Sequence, residues 1–151
     1  QLKNKYNVPA DLIHFEITES AYSGEQDKLI ERIEKIRELG FKIAMDDFGS
    51  GYSSLNILKD LPIDILKLDM GFMRRSKNTD KGQIVIESVV GLAKKLNFII
   101  VAEGVETQEQ ADFLRETGCD IIQGYLYSKP ITVANFESNY ISKTNISGGT
   151  R

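Results

Sequence analysis

The stretch FIIVAEGVETQEQADFLRETGCDIIQG, residues 98–124, decides how the chain folds. Phe98–Glu103 is an apolar run that ends in a carboxylate. Continuous runs of this kind read as strands buried on both faces, the habit of parallel sheets, whereas alternation would mark a half-solvated strand. Thr107 then supplies a capping hydroxyl, a helical pattern runs from Thr107 to Glu116, and Gly118 stops it. Ile121–Gly124 is a second short apolar strand. Strand, helix and strand in direct succession make a βαβ unit, and such a crossover sets the two strands parallel.

The same alternation runs outward from this unit. Strands are predicted at Ile13–Thr18, Lys42–Phe48 and Ile65–Asp69. The helix Gln26–Leu39 places Leu29, Ile30, Ile33, Ile36 and Leu39 on one stripe, with Gly40 as its stop. A shorter helix, Ser53–Lys59, ends before Pro62, and Lys81–Leu96 repeats the pattern with Ile84, Val85, Val89, Leu92 and Leu96. A last, Thr-capped helix spans Thr132–Tyr140. Five βα units in succession predict a parallel α/β sheet, either open and doubly wound or part of a barrel. A closed (β/α)8 barrel takes eight strands and about 250 residues, so a chain of 151 is roughly three strands short. Counting alone does not choose between the two. Gln1–Asn7 reads as the end of an earlier helix, residues 1–141 as the C-terminal part of a domain, and the polar tail 142–151 as disordered.

With 41% apolar and 27% charged residues, the chain has the composition of one globular core. It shows no secretory leader and no apolar run near the roughly 18 residues of a membrane helix. The single cysteine, Cys119, excludes an internal disulfide and points to the cytoplasm. Cys119 reads as a small half-buried residue rather than a nucleophile. The net charge of −3 and the lack of a basic stripe argue against a nucleic acid duplex as partner. An anionic partner would need a local cation, and a bound metal is the usual source.

The informative feature is the set of residues at the end of each strand. The strands deliver, in order, Glu16 and Glu19, Asp46 and Asp47, Lys67 and Asp69, Glu103 and Glu106, and Gln123. Functional groups of parallel α/β folds gather at the C-terminal strand ends. Crowded carboxylates destabilise a fold unless a cation offsets them, and hard oxygen donors favour Mg2+ or Mn2+. Adjacent strand residues point to opposite faces, so Asp46 and Asp47 reach one site only if the strand is ending there. A bridging carboxylate would hold two ions about 3.5–4 Å apart, as in-line attack on phosphodiesters uses. Charged residues also end strands and cap helices for purely structural reasons. That suffices for Thr107, Glu109 and Glu116, and His14 inside the first strand is structural too, but it does not account for the whole rim. The glycine-rich run Phe48–Leu55 lacks the third glycine of a dinucleotide cradle and comes after two acids, so it reads as a loop beside the site.

Five motifs in order identify a family. They are Phe15-Glu16-Ile17-Thr18-Glu19-Ser20, Asp46-Asp47-Phe48-Gly49-Ser50-Gly51-Tyr52-Ser53-Ser54-Leu55, Leu66-Lys67-Leu68-Asp69, Val101-Ala102-Glu103-Gly104-Val105-Glu106-Thr107, and Gly118–Tyr125 running on to Ser128-Lys129-Pro130. They resemble the EAL family of cyclic di-GMP phosphodiesterases, from about Leu12 to Pro130. The resemblance implies a TIM-like (β/α) barrel, of which the chain holds about five βα units. It implies metal-dependent hydrolysis of cyclic di-GMP to linear pGpG by the parent domain, with Mg2+ or Mn2+, two ions per complete site. Glu16, Asp46, Asp47 and Glu103 look like metal ligands. Lys67 and Glu103 look like the catalytic pair, and Gln123 and Asp69 like contacts to water or substrate. Glu19, Gly49, Gly51 and Glu106 look like supports of the 47–55 loop, which the family links to homodimerisation. Sensory or diguanylate cyclase domains are implied for the full-length parent, whose missing N-terminal regions can carry a membrane anchor.

The chain departs from the family in two ways. The Glu-Ala-Leu motif and a metal-binding asparagine belong before Gln1 and are absent, so the isolated chain is expected to bind metal weakly and to be inactive, and to associate or be marginally stable. Where the family often has Arg-Ser-Phe, this chain has Met70-Gly71-Phe72, which would weaken ligand or loop contacts. A non-hydrolysing cyclic di-GMP receptor and a dimerisation module are the alternatives.

Overall fold

The computed structural model describes residues 5–23, 25–49, 55–71 and 79–141. The tail from Ser142 and the loop residues from Ser50 to Ser54 lie outside them. Five strands alternate with helices: β1 His14–Thr18, α1 Gln26–Glu38, β2 Lys42–Phe48, α2 Leu55–Asp60, β3 Ile65–Asp69, α3 Thr79–Lys95, β4 Ile99–Glu103, α4 Gln108–Thr117, β5 Ile121–Ile122 and α5 Val133–Phe136. The strands form one sheet in the order β1-β2-β3-β4-β5, and every neighbouring pair is parallel. An open doubly wound sheet reverses its strand order at a switch point. A strand order that keeps to chain order without reversal is that of a barrel wall, so the five units form part of a TIM-like barrel.

The two faces of the central strands differ. On the helix side, Ile43, Met45, Leu66, Leu68, Ile100 and Ala102 pack with Ile33, Leu58, Ile86, Val90 and Leu114 into the main core. On the other side Ala44, Ile65 and Val101 form a small separate layer. Two residues further along each strand, on that same face, stand Asp46, Lys67 and Glu103. The inner face thus carries an apolar layer topped by a charged one.

Several expectations need correction. β1 is not buried on both faces: Ile17 alone is half-buried and its four other residues are exposed, because β1 is a sheet edge. In α3 the buried face is Ile86, Val90 and Ala93, flanked by Val89 and Leu92, while Ile84, Val85 and Leu96 are exposed. That helix is apolar around much of its circumference, so periodicity does not single out the face that tertiary packing uses. Leu39 lies past the end of α1 and is exposed. The last predicted helix forms over its expected span, but as four α-helical residues that continue into a π-helix at Glu137–Ile141.

The helix signals read from the sequence are otherwise realised. Thr107 caps α4 by accepting the Gln110 N–H, and Gln110 Oε1 accepts the Thr107 and Glu106 N–H groups in return. Such a reciprocal cap contributes about 1 kcal/mol. Gly118 ends α4 with φ of 101° and Gly40 comes after α1 with φ of 87°, a left-handed conformation natural to glycine.

Two aspartates without a site role in the sequence reading, Asp64 outside the motifs and Asp120 inside the last of them, hold the N-terminal strand ends. Asp64 precedes β3 and accepts the Ile43 N–H at 3.0 Å, while its own N–H donates to Ile43 O. Asp120 precedes β5 and repeats this with Ile100, its carboxylate accepting the N–H at 2.8 Å. Each carboxylate also meets a cation: Lys42 and Arg37 for Asp64, Lys94 for Asp120. Burial works to raise both carboxyls, but these hydrogen bonds and cations outweigh it, and both pKa values are lowered.

Candidate active site

The rim is assembled by the ends of β1 to β4. Lys67, from the middle of β3, points its ammonium at three carboxylates from three other strands. Nζ lies 2.6 Å from Glu16 of β1, 2.9 Å from Asp46 of β2 and 3.1 Å from Glu103 of β4. The Lys67 side chain is only 11% exposed, whereas Glu16 on the edge strand is 51% exposed. Partial burial opposes the Lys67 charge, but its bonds to Asp46, Glu16 and Glu103 outweigh that, and its pKa is raised. Glu103 moves the opposite way for an acid in an ion pair. Burial raises its carboxyl most, Lys67 draws it down, and Asp46 and Glu16 push it up again, leaving it raised. The two directions are compatible because three negative charges face one positive charge. Lys67 is over-compensated while Glu103 is not.

Asp46 and Asp47 share the end of β2 by a different device from the one expected. The strand does not stop at the pair but continues to Phe48. Met45 pairs with Leu66 and Phe48 with Leu68, so both aspartates face Lys67 alone across the ladder. This is a bulge, and bulges re-aim side chains beside functional sites. Asp47 adopts the left-handed conformation, with φ of 56°, and donates its N–H to Asp46 Oδ1 at 3.0 Å. Asp47 itself stands exposed next to Asp46.

The remaining rim residues lie around this centre. Asp69 accepts the Gly71 N–H at 2.7 Å and so shapes the turn after β3. A Cβ on Gly71 would come within 2.9 Å of the Asp69 carboxylate, whose side chain would have to give way. Met70 is fully buried in the core, and its N–H donates to Glu103 O at 3.0 Å, tying the end of β3 to that of β4. The residue that departs from the family pattern is therefore a packing residue here. Glu19 is half-buried in the turn after β1, Gly49 comes after β2 with φ of 96°, and Glu106 precedes the α4 cap. Gly51 lies outside the described residues.

Gln123 comes directly after β5 and is held by its backbone, donating to Ala102 O and accepting from Val105 N–H. The next residue must be glycine, since a Cβ on Gly124 would run into the Val105 carbonyl and amide. Beside Gln123 opens a cavity of about 600 Å³ lined by Tyr125, Tyr127, Lys129, Phe136 and Tyr140. Sequence reading missed this aromatic cluster, although the alternating Tyr125 and Tyr127 hinted at it. Cys119 is half-buried, and its thiol is pushed up to about 11, first by burial and then by Asp120, against the pull of Lys94. A thiol so protonated is not a nucleophile.

Among the described residues, no group of three His, Cys, Asp or Glu side chains is gathered so as to hold a metal ion directly. The rim carboxylates are instead spread around the Lys67 ammonium. As hard oxygen donors these carboxylates are of the type that Mg2+ and Mn2+ prefer. Among the same residues, no helix is long and apolar enough to cross a membrane.

The family model described as EAL domain matches residues 1–130. The chain is 41% identical over 130 residues to "Cyclic di-GMP phosphodiesterase NbdA" of Pseudomonas aeruginosa, covering 86% of this chain and 17% of that protein. The solved structure "PaMucR Phosphodiesterase, c-di-GMP complex" superposes with a TM-score of 0.80 at 35% identity, over 89% of this chain and 54% of that one. "Klebsiella pneumoniae BlrP1 pH 9.0 manganese/cy-diGMP complex" gives 0.77 at 33% identity, over 84% of this chain and 32% of that one. The chain thus spans a minor share of its curated relative and about half of the first structure.

Proposed function

This chain belongs to the EAL domain family, and from that premise we propose that its parent domain hydrolyses one phosphodiester bond of cyclic di-GMP to linear pGpG with the help of Mg2+ or Mn2+. The observation that carries the reading is the convergence of Glu16, Asp46 and Glu103 on Lys67 at the C-terminal strand ends. The relatives support it: NbdA and MucR are named as phosphodiesterases, the MucR and BlrP1 structures hold cyclic di-GMP, and the BlrP1 complex also holds manganese.

Glu16, Asp46, Asp47 and Glu103 would hold the metal, with Asp46 shared if two ions bind. Ions held there supply Lewis-acid charge to the phosphodiester and ease the deprotonation of water. The chain's own groups divide the remaining work. Lys67 keeps its proton, so it serves as positive charge beside the negative charge that builds on the phosphate, not as a base. Glu103 holds a proton more readily than an ordinary glutamate, which suits it to take one from the attacking water. Gln123 contacts water or ligand at the far side of the rim, and Asp69 fixes the turn that leads away from Lys67. Glu19, Gly49, Gly51 and Glu106 support the 47–55 loop, through which the parent forms a homodimer. A relative described as a bifunctional diguanylate cyclase/cyclic di-GMP phosphodiesterase supports further signalling domains upstream.

The test is conversion of cyclic di-GMP to pGpG, with Mg2+ or Mn2+, by a longer protein extended upstream and by this chain. Turnover by the longer protein, abolished by Glu103→Gln, is the expected result. Binding without turnover would make the parent a receptor, and neither binding nor turnover would leave a dimerisation module.

A further inference from the structure

We propose that the groove between α3 and α4, on the helix layer, is a docking site for an arginine side chain presented by a partner protein. The groove lies away from the strand-end rim, so it does not depend on what the rim binds.

The groove has a volume of about 290 Å³ and is lined by Glu87, Val90 and Gly91 of α3 and by Phe113 and Glu116 of α4. Lys94 closes it toward the N-terminal strand ends, where its ammonium meets Asp120. Pockets for whole small-molecule ligands begin at about 300 Å³, so the space suits one side chain rather than a nucleotide.

Gly91 makes the hollow. It stands inside α3, before the end of that helix at Lys95, and it is exposed. Glycine is a poor helix former, and close packing is the usual reason to keep one inside a helix. Here an added Cβ would meet nothing within 4 Å, so no neighbour in the chain requires the glycine. The missing side chain leaves a notch beside Phe113, which is itself half-buried against the core.

Charge names the occupant. Glu87 and Glu116 line the groove from its two helices, and both are exposed. Among the described residues neither carboxylate has an ion-pair partner, and Lys94 is already held by Asp120 at 2.6 Å. Two uncompensated acids beside an apolar floor call for a cation on an apolar stem. Arginine meets this better than lysine. Its guanidinium is less strongly hydrated than an ammonium, lies flat on an aromatic ring, and offers several N–H donors to carboxylates. Arginine is also among the residues that anchor protein interfaces.

The experiment titrates the 151-residue chain with acetyl-Gly-Arg-Gly-amide and follows the backbone amides by 1H–15N NMR. The same tripeptide with lysine, or with citrulline, which keeps the stem and planar head without the charge, is the comparison. The arginine peptide should move the amides of 87–94 and 113–117 and bind roughly threefold to tenfold more tightly than the citrulline peptide, with lysine between them. Gly91→Leu fills the notch with a good helix former and should abolish these shifts without lowering the melting temperature. Glu87→Gln combined with Glu116→Gln should bring arginine down to the level of citrulline. Citrulline binding as tight as arginine, shifts that persist in Gly91→Leu, or no shifts at millimolar peptide would each overturn the proposal. Should Gly91→Leu not fold, the double glutamine variant decides: arginine binding unchanged in it overturns the proposal. None of these readouts involves cyclic di-GMP, so failure here leaves the proposed function untouched.

Discussion

At the scale of single residues the molecule separates two kinds of carboxylate. Asp64 and Asp120 have lowered pKa values because backbone N–H groups and cations favour their charge, and they stabilise the fold. Glu103 has a raised pKa, so its charge costs stability, as is usual for a working group. Asp64→Ala would leave the Ile43 N–H without its carboxylate partner and should cost about 1–3 kcal/mol in chemical denaturation. Asp64→Asn tests the charge. A carboxyl lowered on folding gives stability that is present above its unfolded value and lost as pH falls through its folded one. The gap between the chain and Asp64→Asn should therefore be full above about pH 4 and close steadily below it. A constant gap across that range would refute the linkage. In the protein extended upstream, Glu103→Gln should lower the rate of cyclic di-GMP hydrolysis by roughly 10²- to 10⁴-fold, the range of a general base, without lowering the melting temperature.

At the scale of elements, two local irregularities set the rim. The β2 bulge sets both aspartates opposite Lys67 in the ladder and brings Asp46 onto its ammonium, at the cost of a left-handed Asp47. Asp47→Gly relieves that conformation and should leave stability within about 1 kcal/mol of the original, while hydrolysis by the extended protein falls sharply. Unchanged activity would mean that Asp47 serves the bulge alone. The β4–β5 connection depends on the close approach of Gly124 to Val105. Gly124→Ala must push apart two backbones that also share the Gln123 and Leu126 hydrogen bonds. Circular dichroism melts should show it as one of the most damaging single-methyl additions in the chain, well beyond Gly91→Ala, where an added Cβ meets nothing within 4 Å.

At the scale of the whole molecule, the sheet has two exposed flanks. β1 shows Phe15 at its edge, and the end after β5 shows Tyr125, Tyr127, Ile131, Val133, Phe136 and Tyr140. Unpaired strand edges and contiguous apolar surface favour association. Light scattering on the 151-residue chain should give a mass above the monomer at micromolar concentration. Tyr125→Ser combined with Phe136→Ser should lower it. A monodisperse monomer that melts cooperatively would show that these flanks are tolerated.

The sequence by itself determined the alternation of strands and helices, the capped and glycine-stopped ends of α4, and which residues stand at the strand ends. These come from local chemistry: apolar run length, capping hydroxyls, and the side-chain period of an extended chain. It did not determine which stripe of α3 is buried, since an apolar helix offers more than one and packing selects among them. Nor did it foresee the bulge, because Asp46 and Asp47 look like any strand end until β3 is set beside them. Asp64 and Asp120 acquired their role only when the neighbouring strands brought Ile43 and Ile100 within reach. That Lys67 meets Glu16, Asp46 and Glu103 at one point is likewise a fact of tertiary structure. Residues 16, 46, 67 and 103 are far apart along the chain, and the pairing of the parallel strands together with the β2 bulge brings them to the same rim.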